Sequence, residues 1–405
     1  MNPYAGWAYT VFMCVLRHVS CLLLLLSGCG NPPVDPLPFQ PASETAAPAP
    51  SKPGPFAVGV RTVTYEDTGR RKADGTPRKL VTEIWYPAVQ SSRELPKVTY
   101  DIRDYFTDEQ RAALGDALPA LEISAARDAE PALTHGPFPL VIFSHGQAAL
   151  RWQSTYYTVL LASHGYVVAS CDHEEGTLAD VVRGQLQTTL EGVEDRPWDV
   201  IHLINRFERM KPEDPLAGIV DMARVGVTGH SFGALTSLRV AAMDARVKAI
   251  VPQAPVDANL SWIGLPSPVR LSIPVMVQAA HADQTLEWDD NVAPTIAALQ
   301  KPWWLLDIVN GGHFTFSDLC AFDLATAVET VQVDIPGADL RAVLEDGCGP
   351  TAPPSSVAQP LINHFAVAFF NAHLRGSAKS LALLTQAHAE EVAGSAGVAV
   401  VSASP

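Results

Sequence analysis

Basic residues are in short supply: 28 Lys and Arg stand against 43 Asp and Glu in 405 residues, a formal net charge of −15. That balance argues against nucleic acid or an anionic membrane surface as the main partner. The six cysteines include no repeated C-x-x-C pair, so no structural zinc site and no metal are expected. Missing too is any apolar run of roughly 20 residues, the length a bilayer-spanning helix needs. The first twelve residues hold no Lys or Arg, and the first basic residue is Arg17. What remains is 47% hydrophobic and 18% charged, a composition that buries a sizeable core in one large domain or two modest ones.

Residues Cys21 to Cys29 read C-L-L-L-L-L-S-G-C, a short apolar run of the kind found in a secretory signal peptide. Its end, Leu26-Ser27-Gly28-Cys29, resembles a bacterial lipobox, in which cleavage leaves the cysteine as an acylated N-terminus. Residues 1–29 are therefore expected to be a lipoprotein signal peptide with Cys29 as the lipid attachment site. A start at Met13 would bring Arg17 close to the front of that signal. The expected location is the bacterial envelope, and Gly30 after the cysteine favours the outer membrane, facing periplasm or surface. Residues 30–55 are rich in Pro, Ala and Ser and read as an extended tether. The folded domain is expected to begin near Phe56.

Phe56–Glu66 and Leu80–Tyr86 are β-rich runs around a Gly/Pro/Lys turn, an antiparallel entry hairpin. Residues 91–135 read as a mostly helical insertion. Six short, nearly continuous apolar runs follow: Pro139–Ser144, Tyr166–Cys171, Arg224–Thr228, Val247–Pro252, Pro274–Gln278 and Trp303–Val309. Such runs belong to parallel strands covered on both faces. Amphipathic stretches between them, Trp152–Ser163, Trp198–Met210 and Phe232–Met243, give the alternation of a mostly parallel, doubly wound α/β sheet flanked by helices. Leu361–Leu374 would be the last core helix of a domain spanning 56–375. Residues 376–405 form a further helix and a small-residue tail without an assigned place.

The strand R-V-G-V-T runs into Gly229-His230-Ser231-Phe232-Gly233 and then a helical stretch. This is G-x-S-x-G in strand–turn–helix context, the nucleophile elbow of the α/β-hydrolase fold. Gly229 and Gly233 leave room for a turn that lifts the Ser231 hydroxyl clear of the sheet. A serine needs a base, and the order in this fold is serine, acid, histidine. His313, in Gly311-Gly312-His313-Phe314 after the last core strand, sits where the base belongs. The other downstream histidines are His281 and the helical His364, His373 and His388. For the acid, Asp283 follows a core strand at the commonest acid position, with Asp257 as its rival; Asp307 lies inside a strand and comes too early. The Phe232 amide and the Gln147 amide, in Ser144-His145-Gly146-Gln147, are the candidate oxyanion donors. His145 reads as structural or as pocket wall, and Trp152, Trp303, Trp304 and Phe314 as pocket wall or core.

The segment from Phe143 to Gly176, the run D-R-P-W-D-V-I-H-L-I (Asp195–Ile204), G-H-S-F-G, and G-G-H-F-T-F-S-D-L-C (Gly311–Cys320) together resemble the platelet-activating-factor acetylhydrolase group. The histidine loop resembles that of the group's bacterial dienelactone-hydrolase-like relatives. The resemblance covers most of 56–374 and implies a metal-independent, cofactor-free serine esterase for short or oxidised acyl groups, phospholipid-type esters included. By position it implies Ser231 as nucleophile, His313 as base, and Gln147 and Phe232 as amide donors. The animal enzymes take their acid just after the sixth strand, where this chain has Gln253-Ala254-Pro255. That departure favours Asp283 and weakens the expectation of phospholipid specificity. Cys320 and Cys348 flank an acidic, Pro-containing stretch and could form a disulfide in an oxidising periplasm, or remain two thiols; Cys171 falls on a buried strand. The expected activity is carboxylic-ester hydrolysis through an acyl-enzyme on a small-molecule or lipid ester. A transacylase or polyester depolymerase with the same triad, or a lipoprotein that only binds, are the alternatives.

Overall fold

The centre of the sheet is β5 (Phe138–Ser144), whose residues are all buried. Val141 and Phe143 enter one apolar core, Leu140 and Ile142 the other, the period-two division of a strand covered on both faces. In the computed structural model, which describes residues 35–405 except 73, 117, 258–270 and 333–339, five strands extend this centre in parallel. They are β6 (Val167–Cys171), β7 (Val220–His230), β8 (Val247–Gln253), β9 (Val275–Ala280) and β10 (Trp303–Ile308). β1 (Ala57–Arg71) and β2 (Pro77–Ala88) form the expected antiparallel hairpin, Ala57 opposite Ala88, and β2 lies antiparallel on β6. With β3 (Lys97–Tyr100), β4 (Leu121–Arg127) and β11 (Ala399–Ser404), the order across the sheet is β11-β10-β9-β8-β7-β5-β6-β2-β1-β4-β3.

Helices cover both faces. Thr155–Ser163 and Ser355–Arg375 put Tyr157, Leu161, Leu361, Phe365 and Phe369 into one core. Thr189–Glu208 and Phe232–Met243 put Val200, Leu203, Ile204, Leu238 and Val240 into the other. The Thr189–Glu208 helix begins well before the expected Trp198. Thr188 and Glu191 close a capping box at its start, satisfying amides that have no partner inside the helix.

Three stretches differ from the sequence expectation. The insertion, expected as mostly helical, contains β3 and β4, which carry the sheet past the hairpin. Val98 and Tyr100, then Ile123 and Ala125, point inward at every second position, a strand period hidden in short segments. Residues 42–55, expected as tether, lie along the body. The Gly54 N–H donates to Ser163 Oγ at 2.8 Å, the His164 ring bonds the Lys52 carbonyl at 2.8 Å, and Ala42 is buried. A Pro-rich chain cannot pair in a ladder, but its remaining polar groups are satisfied by the surface it follows. Residues 376–405, expected as helix and unplaced tail, contribute β11 antiparallel to β10, with Ala399 opposite Ile308. The proposed signal peptide, Cys29 and the start of the tether lie outside the described residues.

Candidate active site

β7 ends at His230, and the next residue, Ser231, takes φ 57° and ψ −120° before the helix Phe232–Met243 begins. A non-glycine residue held there stores of order 1–3 kcal/mol, which its surroundings must offset. The surroundings are tight. A Cβ on Gly229 would lie 2.5 Å from the Ser144 carbonyl oxygen, and one on Gly233 only 1.9 Å from it. The two glycines therefore let the turn close onto the end of β5, and the Ser231 N–H donates to the Gln253 carbonyl at 2.9 Å.

His313 opens the loop after β10, with Nδ1 at 2.8 Å from Asp283 Oδ2, both side chains almost fully buried. The other oxygen of Asp283 accepts the backbone N–H groups of Thr285 at 3.0 Å and Leu286 at 2.7 Å. Of the two candidate acids, Asp283 is the one brought to His313. Asp257 sits elsewhere and donates its backbone N–H to Asn291 Oδ1 at 3.1 Å. His281 pairs with Asp307 at 3.1 Å. His313 is tied to the serine turn by His230, whose ring lies 4.6 Å from the His313 ring and whose Nε2 donates to the His313 carbonyl at 2.9 Å. Burial, then the neighbouring His313, keep His230 well below its ordinary range. It is therefore neutral, and its Nδ1 accepts from Gln153 Nε2 at 2.6 Å.

The Gly146–Gln147 turn abuts the serine: a Cβ on Gly146 would sit 3.5 Å from Ser231 Cβ. The Gly146 N–H donates to Gln153 Oε1 at 2.8 Å. Among the described residues, neither the Gln147 nor the Phe232 N–H donates to a protein acceptor. Two amides beside a serine hydroxyl, uncommitted, can bind a developing oxyanion. Phe314, half-buried, stands edge-on to the His313 ring at 5.5 Å. Trp152 and Trp304 are core residues: Trp152 stacks on Tyr100, and Trp304 meets Phe369 edge-on. Trp303 packs against the opposite core.

Cys320 and Cys348 form a disulfide, and Cys171 is a buried free thiol. The disulfide pins a loop whose Asp346 joins both halves of the acid–histidine pair. The Asp346 carboxylate accepts from Gln284 N, Thr285 N and Thr285 Oγ1 at 3.0, 2.9 and 2.8 Å, and its carbonyl accepts from Phe314 N at 2.8 Å.

A second serine–histidine–aspartate chain lies beneath the site. The Ser144 hydroxyl meets His173 Nε2 at 2.8 Å, and His173 Nδ1 meets Asp199 Oδ2 at 2.8 Å. All three are fully buried, which rules out substrate contact. Burial pushes His173 down to about 4. It would raise the Asp199 carboxyl as well, but Arg78 and the His173 hydrogen bond outweigh burial and hold Asp199 below its ordinary range. The chain is thus a fixed brace behind the Ser144 carbonyl that abuts Gly233. Gln153, His230, Asp346 and Arg196 were not singled out from sequence. The signal for three of them was their place inside the family-like segments. Among the described residues no group of three or more His, Cys, Asp or Glu side chains could hold a metal ion.

Two family models match: PET hydrolase-like over residues 129–326, and platelet-activating factor acetylhydrolase, isoform II, over residues 42–205. The chain has the α/β-hydrolase fold and is similar to both families, each of whose models matches less than half of it. Platelet-activating factor acetylhydrolase of Canis lupus familiaris is 24% identical over 156 residues, 29% of this chain and 35% of the relative. Bis(hydroxyethyl) terephthalate hydrolase of Streptomyces coelicolor is 24% identical over 182 residues, 44% of this chain and 52% of the relative. The chain thus spans between a third and about half of the curated relatives it matches. A ferulic acid esterase from Streptomyces cinnamoneus superposes with TM-score 0.61 at 25% identity, covering 90% of this chain and 100% of the other.

Proposed function

We propose that this α/β-hydrolase is a serine carboxylic-ester hydrolase acting through an acyl-enzyme on short-chain or acetyl esters. In this reading Ser231 Oγ attacks the ester carbonyl while His313 Nε2 takes its proton. Asp283, bonded to Nδ1, holds the imidazole in the required tautomer and stabilises the imidazolium. The Gln147 and Phe232 N–H groups receive the oxyanion. His313 then returns the proton to the leaving alkoxide, and water, deprotonated by the same imidazole, releases the acid. The observation that carries the reading is the His313–Asp283 pair tied through His230 to a positive-φ serine with two uncommitted amides beside it.

The relatives with ester-hydrolase names support this class of reaction. A second reading, cleavage of aromatic diesters or polyesters, is favoured by the PET hydrolase-like match across 129–326 and by the terephthalate-ester hydrolase relative. We also propose export and lipid anchoring at Cys29, which the disulfide supports through its need for an oxidising compartment. Ser231→Ala should abolish turnover of p-nitrophenyl acetate and labelling by a fluorophosphonate while the fold persists. Retained activity in that variant would remove the assignment. A panel of alkanoyl esters, acetyl-phospholipids and bis(hydroxyethyl) terephthalate separates the two substrate readings.

A further inference from the structure

An amide can serve an oxyanion only if its N–H points at it, and a trans peptide unit holds its C=O and N–H in opposite directions. The orientation of the Gln147 N–H is therefore set by whatever holds the Gly146 carbonyl, the other end of the same peptide. That carbonyl is gripped from behind. His145 Nδ1 meets it at 2.7 Å, and both Nη atoms of Arg196 approach it at 3.4 Å. Arg196 Nη1 also donates to the preceding carbonyl, that of His145, at 2.8 Å. Its Nη2 donates to Gln147 Oε1 at 2.8 Å and to the Gly176 carbonyl at 3.1 Å. The guanidinium carbon lies 4.8 Å over the ring of Phe232, the residue with the second candidate amide. One fully buried side chain thus touches both residues of the candidate oxyanion site without facing the reacting atoms.

The His145 tautomer fits the same purpose. Its Nε2 accepts the His173 backbone N–H at 3.0 Å, so the ring proton sits on Nδ1 and is donated to Gly146. Arg196 in turn is anchored by the helix that carries Asp199 one turn on, and Asp199 is held by Arg78 at 2.8 Å and by Arg70 at 2.6 Å.

We propose that Arg196, together with His145, is a positioning residue that locks the Gly146–Gln147 peptide with its carbonyl turned away from Ser231 and its N–H toward the substrate oxygen. This rests on the esterase reading above and adds to it a residue that does not touch substrate. A planar fork of donors is required, so lysine cannot substitute.

The test measures Arg196→Lys and Arg196→Met, and Arg196→Ala with and without added guanidinium, against p-nitrophenyl acetate and a trifluoromethyl ketone that forms a tetrahedral adduct with the serine. Losing one oxyanion donor outright costs about 10²–10³ in kcat; a misaimed donor should cost about 10- to 100-fold. KM should stay within about twofold, ketone affinity should weaken in step with kcat, and guanidinium should restore part of the loss in Arg196→Ala. Circular dichroism and active-site titration give the folded fraction, to which every rate is normalised. Wild-type kcat and ketone affinity per folded molecule in both the Lys and Met variants would overturn the inference while leaving the esterase reading standing. A wild-type protein inert to ester and fluorophosphonate alike would overturn both.

Discussion

Replacing Asp283 by asparagine should cost about 10⁴-fold in kcat, roughly 5.4 kcal/mol of transition-state stabilisation. The structure dictates how the new amide must sit. Oδ1 of Asp283 faces two backbone donors, the N–H groups of Thr285 and Leu286 at 3.0 and 2.7 Å. An NH2 placed there would meet two N–H groups and leave both of them without an acceptor. The amide oxygen therefore takes that side, and the NH2 turns to His313 Nδ1, 2.8 Å away in the parent. Facing a donor, Nδ1 must give up its proton, which moves to Nε2. The imidazole then presents a hydrogen to Ser231 where it needs a lone pair. Packing is unchanged, so thermal stability should stay close to wild type. The assay is kcat on p-nitrophenyl acetate at saturating ester, with fluorophosphonate inactivation falling in parallel and Asp257→Asn as control. An Asp283→Asn variant with more than about a tenth of wild-type kcat would refute the tautomer argument, as would a comparable loss in Asp257→Asn.

Reduction of the Cys320–Cys348 bond, which closes a separation of 28 residues, should lower stability by about 3.6 kcal/mol. Because Asp346 ties the Asp283 and His313 loops together beside this bond, kcat should fall with it, followed by urea melts and rates before and after dithiothreitol. Burial lifts the Asp318 carboxyl from 3.8 to about 6, against hydrogen bonds from Thr155 and Tyr156. A carboxyl with a raised folded-state pKa favours folding when protonated. Its contribution is therefore full below pH 4, is lost as pH rises through 6, and is flat above that. Wild type minus Asp318→Asn, measured by urea unfolding from pH 4 to 7, should show that decline; a flat difference would contradict it.

The buried Ser144–His173–Asp199 chain shows why a list of residues does not identify a catalytic triad. Its distances match those of His313–Asp283, yet all its side chains are closed to solvent. The two serines sit at the ends of neighbouring strands, β5 and β7, with Gly233 pressed on the Ser144 carbonyl. Ser231 stands at a positive-φ turn; Ser144 stays in the strand.

Local pattern alone determined the parallel core strands, the entry hairpin and the elbow at Ser231. Each depends on residues within a few positions of one another: continuous apolar runs, a Gly/Pro turn, glycines flanking a serine. The histidine at 313 was legible for the same reason, as a loop residue directly after an apolar strand. For the acid the sequence favoured Asp283 over Asp257 without deciding between them, because both follow strands and only the tertiary arrangement sets one carboxylate 2.8 Å from the imidazole. Tertiary packing also decided the edges of the sheet, where β3, β4 and β11 are short and gain their partners from elsewhere in the chain. It decided as well the roles of Gln153, Arg196 and Asp346. Their side-chain bonds join residues 49, 51 and 77 positions apart, and for Asp346 61 or 62. Sequence spacing says nothing about groups that meet only once the sheet has assembled.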